Sequence, residues 1–191
     1  MVRAGRVDRA GLSVLIDTLL PSWDVHEVHG VDVAAPPERT WSALEQVTVR
    51  ELPLARLLTL LRGIGRPSSD VDRPFLDAAG FLTPLAQAER ERVSGMVGRP
   101  WQLRPEVVPI AGAADFTSFD RPGWVRVATD FRVVATAGGS RLETETRIQA
   151  TDQGARRRFA VYWRIVGFGS GLVRRDLLRA TRQRAERFQG A

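Results

Sequence analysis

His26 and His29 are the only histidines in the chain, and they form H-x-x-H. On a helix that spacing leaves both imidazoles on one side, but on a strand an odd separation sends them to opposite faces. The surrounding stretch, Val25 to Ala34, alternates as a strand. Val25, Glu27, His29, Val31 and Val33 share one face, and His26, Val28, Gly30 and Asp32 share the other. A metal shared by the two imidazoles is not expected, and no cysteine is present to complete a site. Glu27 and His29 do share a face. If it lines a cavity, a carboxylate orienting an imidazole makes a general base; otherwise the pair is a polar strand start near solvent. They are the candidate catalytic residues of a chain with no recognisable catalytic motif, and the reading leans away from an enzyme.

Three further groups invite chemistry. Gly167-Phe168-Gly169-Ser170-Gly171 looks like a phosphate loop, yet it follows no strand and lacks the required lysine and glycine spacing. A break or kink in a helix is the expectation there, since each glycine weakens helix by about 1 kcal/mol relative to alanine. Thr129, Thr144 and Thr146 place hydroxyls on otherwise inward strand faces, where they can bond a ligand's polar atoms or simply serve as good strand formers. Ten arginines between Asp152 and Arg187 face only Asp152, Asp176 and Glu186. They suit nucleic acid or anionic lipid, but no RNA-binding aromatic motif or helix-turn-helix accompanies them, and a solvated helix face is the plainer reading.

The elements that must position these residues follow in order. Residues 8–20 form a short amphipathic helix stopped by Pro21. After the strand at 25–34, Ala35-Pro36-Pro37-Glu38 turns into a helix with Trp41, Leu44 and Val47 inward. A second helix spans Pro53 to Arg62, and 65–79 reads as a loop able to act as a lid. Strands at 80–88 and 91–98 come next, with Pro84 placing the first at an edge or bulge. VVPI within 99–112 pairs briefly, and Ala113 to Phe119 makes one helical turn. A hairpin at 124–150 turns at residues 136–140. In its second strand Arg141, Glu143, Glu145, Arg147 and Gln149 form one fully polar face, expected to meet water. The opposite face, with Val125, Val127, Thr129, Phe131 and Val133 of the first strand, is expected to meet a long helix. That helix runs from Thr151 to Phe188, capped by Thr151 or Asp152, with Phe159, Tyr162, Trp163, Val166, Val173, Leu177, Ala180 and Thr181 on its buried stripe.

A chain of 191 residues with 43% apolar content fits one domain over 1–191, of α+β class, a curved antiparallel sheet around the C-terminal helix. All 28 basic residues are arginine, and the net charge is +6. No apolar run approaches the roughly 18 residues of a membrane span, and no signal cleavage pattern follows the first helix, so a soluble cytoplasmic protein is expected.

The order of strand, two helices, antiparallel strands and long C-terminal helix resembles the START-related, polyketide cyclase-like (SRPBCC) helix-grip superfamily. The resemblance is carried by Val31 to Leu44 (VDVAAPPERTWSAL) and by LETETRIQATDQGARRRFAVYWRIV, and extends over about residues 22–188. It implies an apolar cavity between sheet and final helix that takes lipids, sterols, polyketides or hormones, with cyclisation or hydrolysis in some members. Ligand-lining residues expected on that basis are Val31, Phe131, Thr129, Thr144, Thr146, Phe159, Tyr162 and Trp163. The expected partner is a hydrophobic small molecule or lipid, with a homodimer compatible, nucleic acid disfavoured and no cofactor implied. The alternatives are a cyclase- or hydrolase-type enzyme using Glu27 and His29, and an Arg-rich docking protein for nucleic acid or an anionic membrane.

Overall fold

The computed structural model describes residues 14–54, 71–78, 80 and 82–187. Its elements are α1 (Leu15–Leu19), β1 (Val25–Val33), α2 (Pro37–Gln46), a 3-10 turn (Val49–Glu51), α3 (Phe75–Ala78), β2 (Thr83–Ala88), β3 (Glu91–Arg99), β4 (Glu106–Val108), α4 (Ala113–Ser118), β5 (Val125–Thr136), β6 (Gly139–Ala150) and α5 (Gln153–Arg187). The strands form a six-stranded antiparallel sheet in the order β1-β6-β5-β3-β2, with β4 paired to β3. With the long C-terminal helix, this is the α+β, helix-grip order of elements. Pro84 lies on the edge strand β2, where the register shifts between Pro84 and Ala86.

The chain divides into two compact units, each built from three segments: Met1–Val28, Phe81–Phe131 and Thr144–Arg164 in the first, His29–Gly80, Arg132–Glu143 and Ile165–Ala191 in the second.

In the first unit the strands are covered on both faces. Phe159 of α5 closes on Val125 and Ile148, with Val25, Trp101, Val127, Ala150, Tyr162 and Trp163 packed around them. A second core joins Val14, Ile16, Leu19 and Leu20 to Leu85, Val93, Val97, Phe116, Trp124 and Ala128. Ala128 and Val125 are an odd number of residues apart on β5, so the two cores lie on opposite faces. Gly95 permits the second: a Cβ there would come within 2.6 Å of Leu85 Cδ1 and 3.0 Å of the Phe116 ring. The water-facing polar face expected on β6 is therefore corrected here. Glu145 is 1% exposed and Arg147 0%. Period-two alternation says which residues share a face, and it is silent on what lies over that face.

Asp152 and Thr151, both able to cap α5, divide the work. Asp152 Oδ1 accepts from the backbone N–H groups of Gly154 and Ala155 at 2.6 and 3.0 Å. Thr151 Oγ1 instead accepts from Trp124 N–H and donates to its carbonyl, both at 3.1 Å. Hydrogen bonds from the N–H groups of Ala155 and Gly123, with Gly154, hold the Asp152 carboxyl below its ordinary range.

In the second unit, α2 starts with Pro37 in its first turn and buries Trp41 and Leu44, and Val47 just beyond it is buried too. Thr40 and Ser140 share a buried hydroxyl hydrogen bond of 2.7 Å. Gly139 closes the β5–β6 turn at φ +139°, and a Cβ there would collide with the Val33 carbonyl oxygen. Two expectations change in this unit. The stretch read as loop contains the helical turn α3, with Thr48 bridged to Pro74. The glycines at 167, 169 and 171 do not break α5, which runs unbroken from Gln153 to Arg187. Glycine raises the cost of helix without forbidding it, and no proline removes a hydrogen bond here. Residues 8–13 and 55–70, which take in the first half of the helix expected at 8–20, most of the Pro53 helix and the start of the lid loop, lie outside the described residues.

Candidate functional site

The first unit holds seven of the eight predicted lining residues: Phe131, Thr129, Thr144, Thr146, Phe159, Tyr162 and Trp163. Val31 belongs to the second unit and is half-buried. On β6, Thr144, Thr146 and Ile148 follow one another on a single face, each step about 7 Å along the strand. The face grades from polar to apolar. Thr144 is fully buried and its Oγ1 has no hydrogen-bond partner among the described residues. Thr146 Oγ1 is 3.1 Å from Thr129 Oγ1, so these two hydroxyls satisfy each other. Ile148 joins the aromatic cluster, where Phe159 stacks on Trp163 at 5.4 Å, tilts against Tyr162 at 5.7 Å and meets Trp101 edge-on at 6.4 Å. Phe159 is buried, while Trp101, Tyr162 and Trp163 are each half-exposed.

A pocket of about 70 Å³ opens beside this cluster, lined by Asp24, Val25, Ile148, Ala150, Arg156, Phe159 and Ala160. The Arg156–Asp24 ion pair, at 3.0 Å, sits in its wall. Pockets that enclose small organic ligands run to several hundred Å³. This pocket is smaller than that.

The catalytic candidates fall on either side of the unit boundary: Glu27 belongs to the first unit and His29 to the second. Both are half-buried. Within the second unit the His29 ring lies beside Gly171, whose added Cβ would be 3.7 Å from Cε1. That unit also has an open cleft of about 540 Å³, lined by Asp32, Val33, Ala34, Thr136, Ala137, Gly138, Arg182 and Glu186. Among the described residues no three His, Asp or Glu side chains converge as a metal site, and no helix is long and apolar enough to cross a membrane.

Comparison with known proteins adds likeness without a family. No family model matches the chain, and no curated protein matches it. Among solved structures, a hypothetical protein of Helicobacter pylori, jhp0584, is similar at 10% identity and a TM-score of 0.41, over 95% of this chain and 98% of that one. The protein TTHA0849 of Thermus thermophilus is similar at 12% identity and 0.36, over 87% and 100%. The Zhui aromatase/cyclase of Streptomyces sp. R1128 is similar at 14% identity and 0.36, over 87% and 99%. Likeness at this level carries no functional conclusion.

The sequence reading missed the most elaborate polar cluster of the first unit. Arg147 Nε donates to Glu145 Oε1 at 2.7 Å, Nη2 to Asp17 Oδ1 at 2.5 Å, and Nη1 to the Leu20 carbonyl at 3.1 Å. Its guanidinium lies 4.3 Å from the centre of the Trp23 ring. His26 Nε2 completes the cluster at 2.8 Å from Glu145 Oε1. A buried arginine needs such saturation, because desolvating its charge costs several kcal/mol. The available signal was chemical rather than periodic: an arginine, a carboxylate and a tryptophan beside Pro21, none of which could be paired without knowing what crosses β6.

Proposed function

We propose that the protein binds a hydrophobic small molecule or lipid on the inner face of its first unit. The aromatic cluster of Trp101, Phe159, Tyr162 and Trp163 would take the apolar portion, and the hydroxyl row of Thr129, Thr146 and Thr144 its polar atom. The observation that carries this reading is the buried Thr144 hydroxyl, without a partner among the described residues, on a strand face that ends in half-exposed aromatics. A buried hydroxyl left unpaired costs about 1–3 kcal/mol, which a ligand oxygen would recover.

Native mass spectrometry of freshly purified protein tests for a co-purifying molecule. Titration with anilinonaphthalene sulfonate, followed by dye emission and tryptophan quenching, tests the site itself. Saturable one-to-one binding that weakens about tenfold in Trp163→Ala supports the proposal. A bare chain together with non-saturable dye binding, unchanged by Trp163→Ala, would sink it.

A further inference from the structure

The outward side of α5 does not match a simple solvated arginine face. Val161, Ile165 and Phe168 are 65%, 78% and 77% exposed, among the most exposed large apolar side chains of the described residues. Their spacing of four and three places them in one stripe along the helix, and the half-buried Leu172 continues it. Over those residues the stripe is about 16 Å long. Arginines frame it: Arg157 and Arg158 one turn before Val161, Arg164 beside it, and Arg175 and Arg179 one and two turns beyond Leu172. All five are exposed. The arginines with described ion pairs on this helix, Arg156, Arg182 and Arg184, lie elsewhere.

We infer that this helix face docks on an anionic lipid surface, lying in the plane of the interface with Phe168 and Ile165 inserted. The argument is complementarity in two respects. An exposed aromatic and two β-branched side chains gain from leaving water, and a bilayer accepts a convex helix without needing a matching groove. Long arginine side chains around the stripe reach back to lipid phosphates while their stems stay among apolar groups. A second copy of this face would set arginine against arginine. Nucleic acid would engage the arginines and leave Phe168 and Ile165 in water. This inference is independent of the ligand site, since none of its residues lines that site.

Flotation of the full chain with vesicles tests it. Recovery with equimolar phosphatidylcholine and phosphatidylserine, falling as salt is raised, and none with phosphatidylcholine alone, is the expected result. Phe168→Ser should cut the partition coefficient about tenfold, and each of Arg157→Gln, Arg164→Gln and Arg175→Gln about fivefold. These positions are exposed, and circular dichroism of each variant checks that it folds. Absence of recovery on anionic vesicles, or equal recovery on neutral ones, overturns the inference. So does a loss confined to the arginine variants, which would indicate a polyanion bound by charge alone. A lipid-free dimer that Phe168→Ser dissociates would assign the stripe to a second copy instead.

Discussion

One face of β6 is used in two ways. Arg141 and Glu143 belong to the second unit, Glu145 and Arg147 to the first, and all four alternate along one strand. Arg147 and Glu145 are sealed from solvent beneath Asp17, Leu20 and Trp23. Arg141 is 39% exposed and pairs with Asp32 at 2.9 Å and Glu143 at 2.8 Å, while Arg132 bonds the other Glu143 oxygen at 2.7 Å. The same residue types therefore serve as an internal anchor for the N-terminal segment in one unit and as a surface ladder in the other. Residue type did not decide this; the cover did.

The comparison breaks most sharply at Arg147. Arg147→Leu leaves Glu145 and Asp17 without their cation in a dry site, and should lower stability by about 3–5 kcal/mol in urea unfolding. Arg141→Leu should cost about 1 kcal/mol or less, because Asp32 stays in water and Glu143 keeps Arg132. Equal effects for the two would mean that the burial difference has no energetic weight. Tryptophan emission gives a second readout: loss of the cation stacked on Trp23 should alter the spectrum in Arg147→Leu and leave it unchanged in Arg141→Leu.

The ladder has its own signature in pH. Burial alone would raise the Glu143 carboxyl, but hydrogen bonds from Arg141 and Arg132 outweigh it and hold the group below its ordinary value. A depressed folded value contributes stability that is complete above the unfolded carboxylate range, near about pH 4.3, and is lost as pH falls through the folded value. Glu143→Gln should therefore flatten the acid side of the stability profile and leave its shape near neutrality unchanged. An acid limb identical to the parent chain would assign that limb to other carboxylates.

The contrast also marks what could be read without coordinates. Alternation in β5 and β6, the glycine turn, Pro84 at the edge and a cap at Asp152 all follow from short-range rules, and the β5–β6 hairpin and the long helix were legible from them. Period-two alternation likewise puts Thr144, Thr146 and Ile148 on one face of β6. What covers the opposite face depends on contacts between residues more than a hundred positions apart, such as Asp17 with Arg147, and no local rule reports these. The exposed stripe on α5 escaped for a related reason. Helical spacing marked Phe159 to Thr181 as the buried side, but gave no account of Val161, Ile165 and Phe168 opposite.

The smallest effect, and the one that tests the uninterrupted helix, lies at Gly171. A hinge there would need glycine for its backbone freedom, whereas a regular helix only tolerates it. The φ of Gly171 is not in the left-handed region, and an added Cβ would sit 3.7 Å from His29 Cε1 and 3.8 Å from Nε2, ordinary contact distances. Gly171→Ala should therefore stabilise the chain by about 0.5–1 kcal/mol, by removing backbone entropy from the unfolded state. Amide hydrogen exchange over 167–171 should slow to match. Destabilisation by Gly171→Ala, with exchange at these amides still fast, would show that the helix bends or opens beside His29 and that the glycines are kept for that motion.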